Sequence, residues 1–237
     1  GDVCVRTTLE DETLNYLDDL FDLSKPANYW ALGNHDVMYK HPERIEKRTH
    51  RNSWYAHYNN GFTVLVINTS LDKLYSRDAL CAERKQQFEM IKNVCDTIVK
   101  STHLVLLMHH VLWFEIDTKY WIYTNELKSS WRATCDSAST FKNAVYPLLQ
   151  AVQQKGIQVL CIAGDVGLKK KKHGSYRSDE GIQFLACGLG DGHYYREQKD
   201  SIHNDQVLIL RHNLRDSSLS WGFHNLDSLL GEQLVLY

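Results

Sequence analysis

Tyr29-Trp30-Ala31-Leu32-Gly33-Asn34-His35-Asp36 reads as a short apolar strand running directly into four residues that offer an amide, an imidazole and a carboxylate. Three further segments offer side chains of the same kind, two of them at strand ends. Leu104-Val105-Leu106-Leu107-Met108 ends in His109-His110, Gln158 to Ala163 ends in Gly164-Asp165-Val166-Gly167, and Gly1-Asp2 stands a helix-length before Gly33. Phe62 to Ile67 is another β-branched, apolar run of the kind found in strands buried on both faces. Between these runs the spacing turns helical. Leu9, Leu14, Leu17, Leu20 and Phe21 predict a first helix that Lys25-Pro26 ends, and Phe88, Ile91, Cys95 and Ile98 predict a second over Ala82 to Lys100. Ser139 is the expected cap of a third, which runs to Gln154 and stops before Gly156. Strand-like runs follow at Ile182 to Cys187, Gln206 to Arg211, Leu219 to Phe223 and Leu234 to Leu236. This alternation predicts a layered α/β fold, in which ligands sit at the carboxyl ends of the strands.

The totals bound what such a fold can do. A chain of 237 residues with 43% hydrophobic content suits one large domain spanning 1–237, and no repeat or Ser/Gly-rich linker divides it. With 27 basic against 29 acidic residues there is no nucleic-acid signature, so an anionic substrate must be held locally. No apolar run approaches the roughly 20 residues of a transmembrane helix. The six cysteines form no CxxC pair and read as buried free thiols rather than a zinc ribbon. Asn68-Thr69-Ser70 matches a glycosylation acceptor. Trp54-Tyr55-Ala56-His57-Tyr58 could line a substrate pocket but reads rather as packing at a core edge; the same reading covers Trp113-Phe114 and Tyr120-Trp121-Ile122-Tyr123, with a lid or rim over the site as the alternative for the segment that runs on to Ser139.

A Gly-Asn-His-Asp tetrapeptide arises by chance in roughly one chain of this size in several hundred. Together the four segments resemble the motifs of the calcineurin-like metallophosphoesterases, which run D-x-H, G-D, G-N-H-D/E, a strand-end His, and G-H-x-H. The resemblance spans nearly the whole chain. It implies an α/β/β/α sandwich whose first strand, ending in D-x-H, is expected a few tens of residues before Gly1. It further implies that Asp2 bridges two metal ions and that Asn34 and His109 ligate the second of them. His35 is expected as general acid, with Asp36 accepting its other ring proton. One or two divalent transition ions (Mn, Fe, Zn or Ni) suit these ligands, and the resemblance implies that a phosphomonoester or phosphodiester is hydrolysed through a metal-bound hydroxide.

Two departures qualify the match. Gly1-Asp2-Val3-Cys4-Val5-Arg6 lacks the G-D-x-V-D-R-G extension of the protein-phosphatase branch, and Gly164-Asp165-Val166-Gly167 stands where G-H-x-H belongs. Asp165 keeps an oxygen ligand there, while Gly167 offers none. His110, His173 and His193 are weaker substitutes, and Lys169 to Lys172 reads as a solvated loop. The alternative function is therefore a catalytically impaired or single-metal binding module on the same fold.

Overall fold

The computed structural model describes residues 1–3, 7, 10–37, 41–59, 61–71, 77–120, 135, 139–166, 173–188, 206–226 and 228–229. Six strands form one sheet in the order β1-β2-β3-β4-β6-β5, comprising Tyr55–Asn59, Phe62–Val66, His103–Met108, Gln158–Ala163, Gln183–Cys187 and His173–Arg177 respectively. The four central strands β2, β3, β4 and β6 are parallel, and β1 and β5 close the two edges antiparallel. The expected α/β class is present, built on a mostly parallel sheet.

Side-chain alternation sends the two faces of this sheet into different cores. Leu65, Leu104, Leu106, Met108, Val159, Cys161, Phe184 and Ala186 join the main cluster, packed with Ile91 and Cys95 of α3 (Arg77–Thr97) and Leu149 and Val152 of α4 (Tyr146–Gln154). Val64, Val66 and Val105 point the other way, toward Tyr29 and Ala31. A separate antiparallel pair, β7 (Gln206–Asn213) and β8 (Ser218–Asn225), reaches the sheet where His212 packs edge-on against Phe62 and His103, with ring centroids 5.4 and 5.5 Å apart. Because all four central strands point the same way, their carboxyl ends deliver Asn68-Thr69, His109-His110, Gly164-Asp165 and Gly188 to one edge.

Several expectations need correction. Tyr29 to Leu32 joins no ladder; its backbone is held by side chains instead, with Trp30 N donating to Tyr55 Oη at 3.3 Å. The first helix, α1 (Asp11–Phe21), buries Leu14 and Leu17 but exposes Leu20 and Phe21, and it ends at Asp22, whose left-handed backbone lets its N–H reach Asp18 O. Thr140, not Ser139, caps the third helix by accepting from Asn143 N, and a π turn at Phe141–Val145 precedes α4. Gly156, at φ +83°, follows the helix end as expected. A helix not expected, α2 (Pro42–Thr49), packs against α1 through Ile45 and Leu14 and is tied to it by an Arg48–Asp18 ion pair at 3.3 Å.

The cysteines divide. Cys95 and Cys161 are buried free thiols, but Cys81 and Cys135 form a disulfide, their Cα atoms 5.5 Å apart. It ties α3 to residue 135 of the connection that leads back to the π turn. Asn68 is no glycan acceptor surface: its side chain is buried, and its Oδ1 accepts Ser70 N at 2.8 Å. Trp113 stacks on Phe184 inside the core at 5.3 Å, so it packs the interior and forms no rim. Gly167, Lys169 to Lys172, His193, residues 121–123 and the run Leu234 to Leu236 lie outside the described residues.

Candidate metal centre

The site is assembled around one nitrogen. His109 follows β3 directly, and its Nε2 lies 3.1 Å from Asn34 Oδ1, 3.2 Å from Asp2 Oδ2 and 3.9 Å from Asp165 Oδ1. A carboxylate and an amide oxygen only accept, so a single ring N–H cannot satisfy all three. A cation can. Ligand atoms about 2.1 Å from a shared ion and separated by right or tetrahedral angles lie roughly 3.0–3.4 Å from one another, which two of these distances match. His109 is buried, and its Nδ1 is enclosed with no hydrogen-bond partner. The donor set of one imidazole, one amide oxygen and two carboxylates suits a borderline divalent ion.

Close backbone packing brings Asp2 to this point. A Cβ on Gly33 would collide with the Asp2 carboxylate and amide, so the first residue of the tetrapeptide has to be glycine for the two segments to touch. Asp2 then accepts from His35 N at 2.8 Å. Burial pushes the Asp2 carboxyl upward, but the hydrogen bond and charge of His109, the His35 N–H and the His35 ring outweigh it, holding the group at about 2. It is an anion at any ordinary pH. Both Asp2 (φ 58°) and Asp165 (φ 53°) adopt left-handed backbone, a conformation costing on the order of 1 kcal/mol each. On the far side Gly188, after β6, packs so tightly on Val166 that a Cβ would overlap its carbonyl.

Asp36 does something other than the resemblance implies. Its buried carboxylate accepts from Asp2 N (2.8 Å), Val3 N (3.0 Å), Gly33 N (3.0 Å), Thr7 Oγ1 (3.2 Å) and Trp30 Nε1 (3.3 Å). The His35 ring makes no hydrogen bond to it; His35 Nδ1 is buried and unpaired. Asp36 is therefore the clamp that ties the Gly1-Asp2-Val3 segment to the Gly33 turn, and it orients the Asp2 carboxylate through the backbone.

Of the expected site residues, Asp2, Asn34, His109 and Asp165 come together, His35 flanks them, and Asp36 lies behind them. Two more residues join. The ligating atoms of His109, His110 and Asp165 lie within 4.8 Å of one another, and Thr69, at the end of β2, sits 2.8 Å from His110 Nδ1. The sequence signals at Thr69 are the Asn68-Thr69-Ser70 triplet and its place shortly after an apolar strand, neither of which points to a ligand set. His173 lies instead on edge strand β5, against Phe223.

A scan against models of known protein families and a search of curated proteins both find no match to this chain. Among the described residues no helix is long and apolar enough to cross a membrane. At the strand ends this α/β protein gathers an acid- and histidine-rich cluster that could hold a metal ion.

Proposed function

We propose that this chain is a metal-dependent phosphoesterase of the calcineurin-like type, its β7–β8 pair belonging to the second sheet of an α/β/β/α sandwich. The observation that carries the reading is the convergence of Asp2, Asn34 and Asp165 on His109 Nε2, from separate segments. These four residues would hold the ion, with manganese, iron, zinc and nickel all compatible with the donors. A bound divalent ion supplies Lewis acidity, which lowers the pKa of water and neutralises charge on phosphoryl oxygens.

The protein's own part follows from the geometry. Asp36 fixes the Asp2 backbone, and Asp2 in turn fixes His35 through the 2.8 Å bond from its N–H. His35 is thereby held beside the centre, its ring close enough to act on the charge of Asp2, where it would deliver a proton to the departing alcohol of a phosphomonoester or phosphodiester. The second reading, a single-metal binding module, is favoured by one fact: the described oxygens surround a single nitrogen.

Metal analysis with hydrolysis of bis(p-nitrophenyl) phosphate and p-nitrophenyl phosphate separates the two. Metal-supplemented wild type is expected to turn over at least one ester, and His35→Ala to lower kcat by about 100-fold or more with metal content unchanged. Bound metal without turnover of either ester would leave the binding module standing and end the enzyme reading.

A further inference from the structure

The loop after β2 is built to hold one hydroxyl still. Ile67 N extends the ladder by donating to Leu107 O at 3.0 Å, Asn68 N donates to Gln87 Oε1 at 2.7 Å, and Gln87 Nε2 returns a bond to Asn68 O at 3.2 Å. Asn68, Thr69, Ser70 and Gln87 are all buried. In that frame Thr69 Oγ1 accepts from His110 N at 3.1 Å and lies 2.8 Å from His110 Nδ1. The His110 ring stands edge-on to His109, centroids 4.7 Å apart, with its ligating atom inside the 4.8 Å group that includes Asp165.

A hydroxyl oxygen has two lone pairs. When one takes the His110 backbone N–H and the other takes Nδ1–H, the remaining ring nitrogen, Nε2, keeps its lone pair. Metal-bound histidines are commonly oriented in this way, the second nitrogen donating to an oxygen outside the coordination sphere.

We infer that His110, through Nε2, is a further ligand of the centre at His109 and Asp165, and that Thr69 is the positioning residue that sets its tautomer. The inference rests on the proposed metal centre and adds a second imidazole to it, which shifts the donor set toward nitrogen-preferring ions such as zinc, cobalt and nickel.

Cobalt(II) titration of metal-stripped full-length protein tests it, reading the visible absorption band and the affinity by chelator competition. His110→Ala and Thr69→Val are expected to weaken binding about 10- to 100-fold and to shift the band, while Thr69→Ser restores both. His109→Ala should abolish binding. X-ray absorption of the wild-type cobalt protein needs no variant and should count two imidazoles. Wild type that binds no cobalt would overturn the metal centre itself. Wild type that binds through a single imidazole, with affinity and band unmoved by His110→Ala, would keep the centre and overturn this inference.

Discussion

Strand β3 carries a buried histidine at each end, and the two ends have become different places. His103 opens the strand, in register with Phe62 on one side and Gln158 on the other, with the His212 ring edge-on at 5.5 Å and Thr102 Oγ1 2.8 Å from its Nδ1. His109 stands one residue past the other end, with two carboxylates and an amide oxygen around its Nε2. Residue type and burial are nearly the same, 1% exposed in each case. What differs is the chemistry of the neighbours. A ring and a hydroxyl can be satisfied by a neutral imidazole, whereas three converging oxygens without hydrogens call for positive charge. Parallel topology prepares the difference, because the carboxyl ends of β2, β3, β4 and β6 come together at one edge, where open α/β sheets hold their ligands.

The strongest way to break the contrast is at Asp36. Five donors converge on its buried carboxylate, three of them backbone N–H groups of residues 2, 3 and 33. Asp36→Ala leaves these donors without an acceptor in the interior and is expected to cost about 3–5 kcal/mol of stability. Urea unfolding measures it. Metal affinity should fall in the same variant, because Asp2 loses its anchor. A stable Asp36→Ala protein with normal affinity would mean that the clamp is not what assembles the site.

Exchanging the loss between the two ends sharpens the comparison. His103→Ala is expected to lower stability by about 1–3 kcal/mol, through lost packing against His212 and Phe62, with metal affinity unchanged. His109→Ala should instead abolish metal binding, and in metal-free protein it lowers stability as well, because Asp2 loses the hydrogen bond and charge that hold its carboxyl low. Equal losses of stability and of metal in both variants would show that the two ends are coupled.

Much of this frame is legible in the chain itself. Strands β2, β3, β4 and β6 announce themselves because burial on both faces demands near-continuous apolar runs, and α3 and α4 because one face of each meets the sheet. The misses have physical causes. β5 reads His173-Gly174-Ser175-Tyr176-Arg177, an edge strand that pairs through its backbone with Gln183–Cys187 and has no apolar run to betray it. Among the described side chains of α2, Ile45 is the buried apolar one, so no stripe marks it; its signals are Pro42 at its start, Glu43 in the first turn and Lys47 and Arg48 in the last. Tyr29 to Leu32 looks like a strand because aromatic and apolar residues also suit an extended segment laid on the face of a sheet, here beside Val64 and Val66. At the site, metal-competent residues after strands could be read from order and spacing. Whether Asp36 faced His35 or the backbone of Gly1-Asp2-Val3 could not, since both uses need a carboxylate at that position.

The smallest effect is also the most specific to the His103 end. Burial pushes the His103 ring below its ordinary value of 6.5, the neighbouring His212 pushes it the same way, and a hydrogen bond that the ring donates to the Gln158 side chain draws it partly back. His212 in turn interacts electrostatically with Asp216, in the β7–β8 turn. For a histidine whose folded value is depressed, the unfolded chain takes up a proton that the native state refuses. Stability is therefore undiminished above about pH 6.5, falls as the pH drops through the window between 6.5 and the folded value, and levels off below it. One proton limits the slope to about 1.4 kcal/mol per pH unit. Urea unfolding of metal-free protein between pH 8 and pH 5 should show this decline in wild type and a flatter profile in His103→Gln, whose amide packs in the same space without titrating. Identical slopes in the two proteins would assign the acid sensitivity elsewhere and remove the distinction between a histidine kept neutral by packing and one kept for its lone pair.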